Sequence, residues 1–105
     1  MTVEQIQVVD FIGIDANGRA VLTISDHLLW DDIKSHIFTL QEKLNAYLRF
    51  IESGEMIEKR PELAGRTILI SVVLKSPVPN EADWFFAKIS SGIEAAGFRF
   101  EARTL

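Results

Sequence analysis

The chain has 105 residues, 48% hydrophobic and 25% charged, with a net charge of −4 and no cysteine. That is enough for one domain with its own core, 1–105, and too apolar for wholesale disorder. Without cysteine there can be no disulfide framework, thiol nucleophile or thiolate zinc site.

In chain order, "QIQVVDFIGI" (5–14) is rich in β-branched and aromatic residues and reads as a strand. "DANGR" (15–19) places Asn17-Gly18 where a hairpin turn needs positive φ, and "AVLTIS" (20–25) returns as the second strand. A long helix is expected from about Asp31 to Ser53. Ile33, Ile37, Leu40, Leu44, Tyr47, Leu48 and Ile51 recur every three or four residues, a stripe along one face. Gly54 suits the helix end. "EMIEKRPELAGR" (55–66), broken by Pro61 and Gly65, reads as a loop.

"TILISVVL" (67–74) is apolar almost throughout and reads as a central strand. Asn80 is the expected cap of a second helix running to about Ala96, with Trp84, Phe85, Ile89, Ile93 and Ala96 inward. Gly97-Phe98 suits a Schellman ending, and "FRFEAR" (98–103) alternates as a half-exposed last strand. The order β-β-α-β-α-β implies an α+β two-layer sandwich, two helices on one face of a four-stranded mixed sheet.

The segments "VVDFIGID", "VLTISDHLLWDD" and "LQEKLNAYLRFIESGE" resemble a family of small bacterial proteins that is a domain of unknown function. The resemblance runs from residue 8 to about 55, and the second half agrees in outline. It implies a compact bacterial protein of one domain. The family brings no established activity, so no catalytic residue is carried over from it.

"LTISDHLLWDDIKSH" (22–36) holds both histidines. His27, Asp31, Asp32 and His36 are metal-ligand types, and Asp32 and His36 are four apart on one helix face. The competing reading is architectural: Asp26 ends the strand, Asp31 caps the helix, Asp32 meets its positive end, and His36 pairs with Asp32. No zincin-type motif is present, so the architectural reading is preferred. Ser25, His27 and Asp31 suggest a triad, but no nucleophile-elbow glycines surround Ser25. "DANG" lacks the acids of a calcium loop. Lys59, Arg60 and Arg66 could hold an anion, with a solvated charged loop the plainer account. Trp84, Phe85 and Phe86 point about 100° apart on a helix, so one of them should reach the surface.

Residues 1–55 hold nine acids and four bases, net −5; residues 56–105 hold six and seven, net +1. Scattered bases argue against nucleic acid, and the acidic half suits a basic protein partner. No apolar run is long enough to cross a membrane, and the first residues lack a signal-peptide pattern, so the cytoplasm is expected. If Ile68, Ile70, Val72 and Leu74 face the helices, then Val9, Phe11, Val21, Leu69 and Val73 lie on the outer sheet face. That apolar area should be buried in a homodimer or against another protein. The expected function is therefore a non-enzymatic protein-interaction module, such as an inhibitor, immunity or adaptor subunit, with no cofactor. The alternatives are a metal-binding protein or small metal-dependent enzyme built on His27, Asp31, Asp32 and His36, and a small-ligand binder using space beside the 55–66 loop.

Overall fold

A computed structural model describes residues 11–105, Phe11 by its backbone; Val9, the Phe11 side chain and the first part of the expected strand at 5–14 lie outside the described residues. The elements are β1 (Phe11–Ile14), β2 (Ala20–Asp26), α1 (Ile33–Glu52), α2 (Glu55–Lys59), β3 (Ile68–Leu74), α3 (Asp83–Ala95) and β4 (Arg99–Thr104). The sheet order is β1-β2-β3-β4. β1 runs antiparallel to β2, whereas β2-β3 and β3-β4 are parallel. This is the α+β mixed sheet expected from the sequence. The parallel steps need crossovers, and α1 and α3 supply them.

One sheet face makes the core. Ala20, Leu22, Ile24, Ile70, Val72 and Leu74 are buried there, and the helices close over them with Leu40, Leu44, Tyr47, Phe85 and Ile93. The hairpin turn is built by Asp15, whose carboxylate accepts from the backbone N–H groups of Asn17 (3.0 Å) and Arg19 (2.9 Å). Gly18 supplies the positive φ of 79° that the turn needs. The α3 ending is the expected Schellman motif. Phe98 N–H donates to Ile93 O, Gly97 N–H donates to Glu94 O, and Gly97 has φ 94°.

Four expectations are corrected. The cap of α1 is Asp32, not Asp31: Asp32 is extended and its carboxylate accepts from Ser35 N–H. The stretch expected as a loop at 55–66 contains α2 and a 3-10 turn at Pro61–Leu63, because Met56 and Leu63 anchor it in the core. Asn80 opens a 3-10 turn, Asn80–Ala82, and α3 has no side-chain cap bond. Trp84 and Ala96 are exposed instead of inward, since Phe85 and Ile93 set the buried side of α3.

Candidate functional site

The junction between β2 and α1 brings a buried acid and a buried base together. Asp26 is the last residue of β2 and has the inward parity of Leu22 and Ile24. His36 lies in the first turn of α1, facing the same layer. Their side chains are 0% and 2% exposed, and His36 Nε2 lies 2.5 Å from Asp26 Oδ2. The other ring nitrogen, Nδ1, donates to Leu29 O at 3.1 Å. A carbonyl oxygen only accepts, so Nδ1 carries a hydrogen. Nε2 and the carboxylate share another, and the pair is neutral as a unit wherever that hydrogen sits. Neutrality makes its burial tolerable.

The surroundings fix both partners. The second Asp26 oxygen accepts from Leu28 N–H at 3.1 Å, and Asp26 O accepts from Lys75 N–H at 2.9 Å. Trp30 stacks on the His36 ring, centroids 3.6 Å apart and planes 17° apart. Its indole N–H reaches Ser76 O at 3.4 Å. The cluster thus ties the end of β2, the start of α1 and the segment after β3.

This geometry bears on each candidate. His36 pairs with Asp26, not Asp32 as expected; it touches Asp32 only through the helical bond from His36 N–H to Asp32 O. Both ring nitrogens are engaged, so neither is open to a metal or a substrate. Asp31, Asp32, Ser35 and His36 line a shallow hollow with Leu28 and Leu29, of about 130 Å³. That is well below the roughly 300 Å³ at which small-molecule sites begin. His27 is exposed and takes no part in its wall. Among the described residues no three His, Asp or Glu side chains gather as a metal site. Ser25 is exposed with outward parity, so the strand end separates it from Asp31 on the helical side.

The basic cluster also meets internal partners. Arg60 binds Glu62 at 2.7 Å and reaches Ile12 O. Arg66 donates to Gly18 O and Glu62 O, and Lys59 lies 3.5 Å from Glu55. Glu62 is held below its ordinary carboxylate range first by the Arg60 side-chain bond. Arg60 and Arg66 therefore tie the 55–66 segment to the β1-β2 hairpin, while Lys59 pairs within α2.

Besides the Asp26–His36 pair, the sequence left two features unread: a buried lysine, and the way Trp30 joins the Trp84-Phe85-Phe86 aromatics it had singled out. Lys43 is fully buried, its ammonium 5.4 Å from the Tyr47 ring centroid, while Tyr47 OH donates to Thr23 O at 2.8 Å. The signal was available: Lys43 is three after Leu40 and four before Tyr47, on the apolar stripe. The second is a connected run of rings. From Trp30 it passes to Phe86 (6.2 Å), Phe85 (5.4 Å) and Trp84 (6.1 Å). The run starts at buried His36 and ends in solvent, with Trp84 56% exposed. Of the expected interface residues, Val21 and Val73 are half-buried and Leu69 is buried within one chain.

No helix among the described residues is long and apolar enough to cross a membrane. No curated protein and no solved structure matches the chain. Residues 1–105 match the model of DUF6572, described as a family of unknown function, and the chain belongs to that family.

Proposed function

We propose that this is a non-enzymatic protein-interaction module, working in the cytoplasm by binding another protein. The observation that carries the reading is Trp84, an indole more than half exposed at the end of a ring run anchored in the core. Rigid aromatics of this kind lose little entropy on binding and are enriched in contact surfaces. Phe38 on α1 and Leu29 before it, 63% and 65% exposed, add apolar surface on the helical side. The outer sheet face contributes Val21 and Val73. The acid-base pair at the strand end supports the same reading from the other side, because its groups are consumed by one another.

The test is site-specific crosslinking in the native cell. A photoreactive aromatic residue at position 84 should trap a discrete protein, and the same group at exposed Glu52 should not. Equal trapping at both positions, or none at 84, would contradict the proposal. Stoichiometric metal in the purified protein, lost in His36→Ala, would favour the metal-binding alternative.

A further inference from the structure

β4 is an edge strand. It pairs with β3 from Arg99 to Thr104 in unbroken register, and among the described residues no strand lies on its other side. Proteins commonly guard such edges with charged side chains, lysine above all, or with proline, a bulge or a covering segment. The charges of β4, Arg99, Glu101 and Arg103, are of both signs, so a copy of the strand can complement them. "RFEART" contains neither proline nor lysine, and its ladder has no bulge.

The backbone determines which groups point outward. Leu105 N–H donates to Leu74 O at 2.9 Å. Alternate residues of a parallel ladder face the same neighbour, so Arg99, Glu101 and Arg103 bond toward β3. Phe100, Ala102 and Thr104 turn their N–H and C=O groups away from the sheet.

We propose that this edge pairs with the same edge of a second copy, antiparallel about a two-fold axis at Ala102, joining two four-stranded sheets into one. The side chains select that register. With the axis at Glu101, the two carboxylates would face each other and Arg99 would oppose Arg103, all like charges. With the axis at Phe100, Ala102 and Thr104 would oppose Phe98 and Ala96, which precede the strand. With the axis at Ala102, Ala102 meets its own copy and Phe100 meets Thr104, so every outward group of the strand is paired. Glu101 then stands opposite Arg103 on both sides of the axis. These are non-hydrogen-bonded positions, where facing side chains come closest. Within one chain, among the described residues, Arg103 has no carboxylate at ion-pair distance. Glu101 has only a bond from Ser71 Oγ, at 3.1 Å. The pairing is isologous and closed, as two-fold dimers are, and it does not depend on the contact at Trp84.

Sedimentation velocity tests it. The wild type should sediment at twice the 11.8 kDa of one chain. Ala102→Pro removes an N–H that points away from β3, so it should leave the fold intact by circular dichroism and give a monomer. Glu101→Arg should also give a monomer, and adding Arg103→Glu should restore the dimer by exchanging the two charges. A monomeric wild type at its highest soluble concentration would overturn the proposal. So would a dimer that persists in Ala102→Pro, or a charge exchange that fails to restore pairing.

Discussion

Asp26 and His36 are ten residues apart and share one hydrogen where water does not reach. Removing either leaves the other buried without its partner, a loss of roughly 3–5 kcal/mol. Asp26→Ala should therefore shift a denaturant midpoint strongly, while Asp26→Leu combined with His36→Leu should recover much of the loss. Equal damage from the single and double changes would mean the pair is not the unit described here. The cap is a gentler case. Asp32→Ala should cost about 1 kcal/mol and Asp31→Ala almost nothing, measured by the same melts. The sequence could not separate these two, because adjacent aspartates satisfy the same pattern and only the extended backbone at Asp32 decides. Nor was the Asp26–His36 pair legible, since contact between a strand end and a helix start depends on how the intervening turn folds. At Asp15, the Arg19 backbone N–H, and then its guanidinium, hold the carboxyl below its ordinary value. Its stabilising contribution is present above the unfolded pKa and is lost as pH falls through the lower folded value. Chemical shifts of the 15–19 turn should accordingly titrate at a lower pH than those of an unpaired aspartate.

At the scale of elements, α1 is held by its stripe more than by local preference. Leu44 is buried in mid-helix, so Leu44→Ala should cost roughly 2–5 kcal/mol, read from equilibrium unfolding. Gly97 ends α3 in the left-handed region, where a Cβ costs about 1–2 kcal/mol, so Gly97→Ala should lower stability by that amount without altering the fold. These elements were legible because period and punctuation agree: a 3.6-residue stripe closed by glycine, and strands bounded by turns. The 55–66 stretch was less so. Proline, glycine and charge marked it as irregular, yet Met56 and Leu63 bury themselves in the core and fold it into short helical turns. Trp84 and Phe85 show the same limit on α3, because only tertiary packing chooses which ring turns inward.

For the whole molecule, the junction at 22–36 ties strand, helix and the segment after β3 together, and the contacts proposed above use other surfaces, the exposed Trp84 and, among the described residues, the unpaired edge of β4. Element order, sheet type and the core stripe came from periodicity together with β-propensity and turn residues. The edge could not, because strand order depends on crossovers that local pattern does not encode. Binding and catalytic segments are drawn from the locally unstable parts of a protein, whereas a structural frame opens only with global unfolding. Native-state hydrogen exchange at the amides of Leu28, His36 and Lys75 therefore tests the central claim most directly. All three should exchange with the same opening free energy as the core amides of Leu22 and Ile70. Exchange at the junction through a local opening, orders of magnitude faster than in the core, would contradict the account and return this stretch to the candidates for chemistry.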